Sequence, residues 1–479
     1  MPMPSTSCPR AALSRRAASR AAALLFVAAL FVAAALLPAL AQAQGITVAV
    51  GGALQDSNHA LWMHLVQLVQ REPVAAGSSV DNSRACYSIV TIASADPDAS
   101  AKRVAANLAR QGGRSQHLRV GPRIEGQDVT AAVHDLQWVQ ALRRCRGVYM
   151  TGGAQARLID TLQPQGRATP LLLAMRALWQ EGGVVAGSSA GAAVLSDVIF
   201  RDAPDPLAVM KGRLREGIEW DHGFAFAPTS VLLDQHAVRR GRIGRLLPLM
   251  QSRGVPVGVA VEENSAAQFQ GQEVLALGAR GLLIADIKSA SGAASGAASG
   301  AASCAASGPT AGPFELRGAR LHWLEHGDRF DLATRTVKPS ARKLAGTLLQ
   351  PLSPQHRGYL PGPWFYADML GDGVVVTAMT RLVDGDQPEQ RGLSFSASPA
   401  ADDPAPDLAF EWRLWLDEGT RGWLITSPEG YTLSGVRLDI VPVRVNQPLY
   451  RPLTRTLTPT HTPTRHLSLI HISEPTRLR

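Results

Sequence analysis

Gly182-Gly183-Val184-Val185-Ala186-Gly187-Ser188-Ser189-Ala190-Gly191-Ala192-Ala193 decides the fold. The β-branched pair Val184-Val185 reads as a strand, and the small residues after Gly191 read as a helix. Between them, Gly187-x-Ser189-x-Gly191 is the strand–turn–helix pattern that exposes a serine oxygen on a sharp bend. Glycines suit the bend because flanking side chains would collide with the adjoining strand and helix. The start of the helix adds a free backbone N–H, suited to an oxyanion.

The surrounding sequence alternates in the manner of an α/β domain. Strands are expected at Ile46–Val50, Tyr87–Ala93, Val148–Met150, Val184–Ala186, Val231–Leu233 and Val257–Val261. Helical spacing runs through Ala99–Gln111, Val129–Arg144, Leu171–Gln180 and Arg242–Ser252. This order predicts a doubly wound, mostly parallel sheet spanning 44–288, with ligands gathered at the carboxyl ends of its strands. Gly51, Gly152 and Ser189 all fall there. Residues 289–312, a Ser/Gly/Ala repeat, have too little bulk to form a core and read as a flexible insertion. Residues 313–345 read as a strand pair completing the catalytic domain, turning at His326-Gly327-Asp328. Residues 360–445, with strands expected at Val374–Thr377, Phe410–Leu416, Trp423–Thr426 and Val436–Val443, read as a smaller accessory β-rich domain. Its tryptophans are assigned to its core.

The chain of 479 residues has a formal charge of +9. Residues 1–43 hold four arginines and no acid, and residues 451–479 hold five arginines against Glu474, so the middle carries only about +1. That distribution argues against a nucleic-acid partner. Arg15, Arg16 and Arg20, the apolar run Ala21–Leu37, and Ala41-Gln42-Ala43 form a secretory signal with cleavage expected after Ala43. Export follows, to periplasm or medium, with no membrane span once the signal is removed. Residues 446–479 read as a disordered tail in which 467–477 resemble a translated sequencing adapter. Cys86 and Cys145 each lie near the start of a strand, and the sequence leaves open whether they pair or stay as thiols. With no CxxC and no HExxH, neither a metal nor another cofactor is indicated.

An acyl-transfer serine needs a base, and the base needs an orienting carboxylate. His236 ends the strand Val231–His236 and would share a sheet edge with Ser189. For the carboxylate, Asp202, Asp205, Glu216, Glu219 and Asp221 are candidates. Asp202 gives the order Ser, Asp, His. The amides of Gly153 and Ala190 suit an oxyanion hole. Arg240, Arg242 and Arg245 cluster at a helix amino end, where cations oppose the helix dipole, so they are better explained as carboxylate-gripping groups.

Thr151-Gly152-Gly153-x-Gln155, Gly187-Ser-Ser189-Ala-Gly-Ala192, and Asp234-Gln235-His236 with the three arginines together resemble cyanophycinases, particularly the exported ones. These belong to a serine peptidase family that also holds aspartyl dipeptidase (peptidase E). The resemblance covers about 46–337. It implies a fold like class I glutamine amidotransferase domains, with Ser189 as nucleophile, His236 as base and Asp202, two residues before Pro204, as third member, Asp205 being the reserve. It implies cyanophycin, a poly-aspartate bearing arginine on each β-carboxyl, as substrate, β-aspartyl-arginine as product, and a homodimer. Gln155, Asp234, Gln235, Arg240, Arg242 and Arg245 match substrate-pocket positions; the arginines would hold aspartyl carboxylates and Asp234 an arginine. One departure is Ala154, where the family usually has Asp. The alternatives are a related aspartyl dipeptidase, which does not need the arginine row, and an α/β-hydrolase-type esterase, which does not predict the Asp-Gln-His-Arg cluster. From another class, an inactive exported protein would capture the polymer without cleaving it.

Overall fold

The computed structural model describes residues 45–71, 82–202, 204–292 and 313–446. The signal segment, nearly all of the Ser/Gly/Ala insertion (293–312) and the tail lie outside them. Five parallel strands form the centre of the first sheet: β1 (Ile46–Val50), β2 (Cys86–Val90), β3 (Arg114–Leu118), β4 (Gly147–Met150) and β5 (Val184–Ser188), in spatial order β1-β5-β4-β2-β3. Their side chains alternate between two cores, as strand geometry requires. Val48, Val50, Ile89 and Tyr149 pack toward the helices His59–Gln70 and Pro97–Arg110. Ala49, Val90, Val148, Met150 and Val185 pack toward Gln155–Leu162 and Pro170–Gln180 on the other face. This part is doubly wound. A disulfide joins Cys86, at the start of β2, to Cys145, just before β4.

After the elbow, β6 (Val198–Phe200) and β7 (Trp220–His222) pair with each other. β8 (Val231–Gln235) and β9 (Val257–Val261) are parallel and begin a second sheet. The chain then returns to the first sheet, where β10 (Ser265–Gln270) and β11 (Glu273–Gly278) add antiparallel to β1. β12 (Leu282–Asp286) and β13 (Leu316–Leu324) extend the second sheet antiparallel from β9.

Several expectations are corrected. Among the described residues the two large sheets are mixed, nine- and ten-stranded, rather than one mostly parallel sheet. Leu316–Leu324 and the following β14 (Arg329–Asp331) do not pair: β13 belongs to the second sheet, while β14 pairs with β11 in the first. The region 360–445 is no separate sheet either. Its long strand Glu429–Arg444 pairs with β13, and Leu408–Trp415 pairs with that strand in turn. Val374–Val383 is a helix, not a strand, because Val375, Ala378, Met379, Leu382 and Val383 form a buried stripe at helical spacing that outweighs the β propensity of three valines. The helix expected over Val129–Arg144 is two, Val129–Ala132 and Leu136–Arg143, since Asp135 caps the second through Gln137 N. Among the described residues no helix is long and apolar enough to cross a membrane.

Candidate active site

Ser189 follows β5 at φ 53° and caps the short helix Ala190–Ala193, so its bend is the strained elbow the sequence pattern demands. The flanking glycines are steric necessities: a Cβ at Gly187 would lie 2.0 Å from the Gly191 carbonyl oxygen, and one at Gly191 2.3 Å from that of Met150. The Ser189 amide donates to Val50 O at the end of β1. The His236 amide donates to Gly51 O, and that of Asn264 to Gly52 O. The turn after β1 therefore ties together the ends of β5, β8 and β9, across both sheets. Gly52 lies against the His236 ring, where a Cβ would sit 2.4 Å from Nε2.

These ties align three side chains. Ser189 Oγ is 2.8 Å from His236 Nε2, and His236 Nδ1 is 2.7 Å from Glu263 Oε1. Both His236 and Glu263 are buried. Burial, aided by Arg240 and Arg242 and opposed by Glu263, holds the imidazole below its ordinary value of 6.5. Burial pushes the Glu263 carboxyl up, but the hydrogen bond and charge of His236, with Arg239 and Arg240, outweigh it and hold the group below the usual carboxylate range. Arg239 Nη1 is 3.4 Å from Glu263 Oε2, and Arg240 Nη2 is 3.8 Å from Oε1.

The carboxylate beside His236 is thus Glu263, where the sequence reading expected Asp202. Asp202 instead accepts a hydrogen bond from Gln155 Nε2 at its backbone carbonyl. Asp205, the reserve, caps the helix Pro206–Met210 through Ala208 N. Glu219 pairs with Arg215 and Asp221 with Arg201. Glu263 lies just past the carboxyl end of β9, a strand expected from the sequence, but only its pairing with β8 brings it to the ring. Chain order favoured Asp202, yet the adjacent parallel strand supplies the partner.

Around this line, Gly152 faces the nucleophile: its Cβ would lie 3.0 Å from that of Ser189. The Gly153 amide has no acceptor among the described residues, and the Ala190 amide opens a helix where no intrahelical partner exists. Gln155 is buried, its Nε2 also donating to Phe200 O. Gln235 is buried with Oε1 unpartnered among the described residues. Arg245 and Asp234 do not present free ends, contrary to expectation. Arg245 Nε and Nη2 each donate to the Asp234 carboxylate at 2.7 Å, and the guanidinium lies over the Phe200 ring. Arg242 is buried, donates to Gln235 O and is pushed down to about 10 by burial, so it stays cationic at neutral pH. The Asp234 carboxylate offsets the cost of two cations at this helix start. Arg240 is the exposed member of the row, its guanidinium 3.8 Å from Glu263 Oε1.

A serine on a strand-to-helix elbow, hydrogen-bonded to a histidine backed by a carboxylate, is the arrangement of a serine-type hydrolase. Residues 81–277 match Peptidase family S51. Cyanophycinase of Synechococcus elongatus is 29% identical over 204 residues, 41% of this chain and 56% of its own length. Cyanophycinase of Geminocystis herdmanii is 28% identical over 291 residues, 60% of this chain and 94% of its own. A solved peptidase from an acI-B1 Actinobacterium aligns at 19% identity and TM-score 0.38, over 51% of this chain and 91% of its own. The matched segment is thus similar to Peptidase family S51 and to cyanophycinases, and the chain spans about half the length of the first of these relatives. Residues 313–446 lie beyond the family match.

Proposed function

We propose that the protein is an exported serine exopeptidase that hydrolyses cyanophycin to β-aspartyl-arginine dipeptides. The observation that carries this reading is the unbroken line Ser189 Oγ–His236 Nε2 and His236 Nδ1–Glu263 Oε1, at 2.8 and 2.7 Å. In the reaction, Ser189 Oγ attacks the scissile carbonyl as His236 Nε2 takes its proton. The Gly153 and Ala190 amides stabilise the oxyanion, and His236 then delivers the proton to the leaving amine. Water, deprotonated by the same ring, hydrolyses the acyl-enzyme. Glu263 holds the tautomer with hydrogen on Nδ1 and stabilises the imidazolium as it forms.

The substrate repeat carries a carboxylate and a guanidinium. Arg240 is the group with freedom to meet the carboxylate. The unpartnered Oε1 of Gln235 offers a further hydrogen bond. The Asp234–Arg245 pair acts from beneath, fixing the strand end that carries His236. Export rests on the amino-terminal signal and is supported by the Cys86–Cys145 disulfide, a bond that persists in oxidising compartments. The test is to incubate the full chain with insoluble cyanophycin beside Ser189→Ala. Clearing with release of β-aspartyl-arginine by the first alone supports the reading. Sedimentation with the polymer and no release by either would make it a binding protein.

A further inference from the structure

Ten large hydrophobic side chains are prominently exposed among the described residues, and six of them fall within 344–365, outside the family match. The three aromatic ones are Tyr359 (80% exposed), Trp364 and Phe365. The loop that bears them is braced. Tyr359 N and Leu360 N donate to Asp384, Gly362 N donates to Asp386 Oδ1, and Trp364 Nε1 donates to Pro361 O. A braced backbone and a tethered Trp364 ring lose little conformational freedom on binding. The Arg381 guanidinium lies 4.0 Å from the centroid of the Trp364 ring, so this surface already holds a guanidinium on an aromatic face.

Beside it, Leu360 and Arg381 help line a cavity of about 330 Å³ with Glu325 and Glu429. Glu325 is paired with Lys343, whereas Glu429 is exposed with no ion-pair partner among the described residues. Carboxylates and guanidinium thus stand together, complementary to a ligand that carries both charges. The same loop leads to the reaction site. Leu370, five residues past Phe365, packs on Gly241 and Gly244, whose Cβ atoms would lie 2.2 Å from Leu370 O and 2.6 Å from Leu370 Cδ2. Five residues span at most about 17 Å, so Phe365 stands within roughly 20 Å of the backbone beside Arg240, and Trp364 is its chain neighbour.

We infer that Tyr359, Trp364 and Phe365, with the adjoining cavity, form a docking platform for a zwitterionic, guanidinium-bearing polypeptide, which they hold against the rim of the Ser189 site. The inference rests on the polymeric substrate proposed above. Rings stack the guanidiniums of the repeat, Glu429 pairs with them, and Arg381 meets its carboxylates. Such a platform serves an insoluble substrate and is irrelevant to a short one.

The test uses the full chain with Tyr359→Ala, Trp364→Ala and Phe365→Ala combined, and a second variant, Tyr359→Phe, Trp364→Tyr and Phe365→Tyr, that keeps the rings. Each is made with and without Ser189→Ala. The Ser189→Ala forms are sedimented with insoluble cyanophycin. The active forms are assayed on the polymer and on a short soluble β-aspartyl-arginine oligomer. Loss of the rings is expected to weaken co-sedimentation and slow clearing about tenfold, with cleavage of the oligomer unchanged and the ring-keeping variant like the parent. Unchanged sedimentation of the ring-less protein overturns the platform, as does equal loss on the oligomer. A shift in oligomeric state with polymer binding intact overturns it too, and makes the surface a contact between copies. If the unsubstituted chain sediments with the polymer but does not cleave it, the catalytic reading falls while the platform is still judged by sedimentation. If it neither sediments nor cleaves, both fall.

Discussion

At the scale of single residues, the carboxylate that serves His236 is Glu263. Glu263→Gln keeps the shape but loses the charge and the tautomer preference, and is expected to lower kcat about 10³-fold or more. Asp202→Asn should leave kcat within about twofold, because only the Asp202 backbone is engaged. Steady-state rates on a soluble oligomer check both. The imidazole is held low by burial first and then by Arg240 and Arg242. A depressed value keeps the ring neutral, hence competent as a base, further into acid. The acid limb of kcat/KM is therefore expected below 6.5, the ordinary histidine value. Arg240→Gln removes a cation, raises the histidine value and moves that limb toward higher pH; a limb that moves the other way, or not at all, contradicts this electrostatic reading. The serine and histidine were legible because each ends a strand of readable pattern. Glu263 was passed over because nothing local to Glu262-Glu263-Asn264 distinguishes it. Only the pairing of β8 with β9 brings it to the ring. The burial of Arg245 against Asp234 was equally invisible, since residues eleven apart meet only through that strand and the helix packed on it.

At the scale of elements, the helix Gln155–Leu162 begins at Ala154 in extended conformation with no side-chain cap. An aspartate at this position would accept from the free amides of the first turn. Ala154→Asp is expected to stabilise the fold by about 1 kcal/mol, read as a higher denaturant midpoint with an unchanged slope. No change would mean that the first turn gains nothing from a side-chain acceptor there. Helix His59–Gln70 and the antiparallel strands β10 to β12 were missed by the sequence reading, although Leu61, Leu65, Leu68 and Val69 carry a plain helical period. β3, Arg-Ser-Gln-His-Leu, gave no such signal: it sits at the edge of the sheet, where polar side chains are tolerated.

At the scale of the whole molecule, the carboxyl-terminal strands are continuous with the sheet that carries His236. β12 is sandwiched between β9 and β13, and β13 is covered in turn by Glu429–Arg444. A chain ended at residue 288 would leave the buried β12 as a bare apolar edge, and is expected to be insoluble. A soluble, active product of that length would restore the independent accessory domain. The sequence showed strands in this region but not their partners, because pairing across a hundred residues leaves no local periodicity. The disulfide closes a loop with a separation of 59 residues. Its reduction is expected to cost about 2–4 kcal/mol of stability, measured by denaturation with and without reductant. Cys86→Ser should abolish that difference.

The most direct measurement compares release of β-aspartyl-arginine from cyanophycin by the unsubstituted chain, Ser189→Ala, Glu263→Gln and Asp202→Asn under one condition. Release by the first and last is expected at similar rates, with a loss of about 10³-fold for Glu263→Gln and of about 10⁴-fold or more for Ser189→Ala. Full activity of Glu263→Gln together with an inactive Asp202→Asn would contradict the assignment of the carboxylate. Undiminished release by Ser189→Ala would contradict the serine mechanism itself.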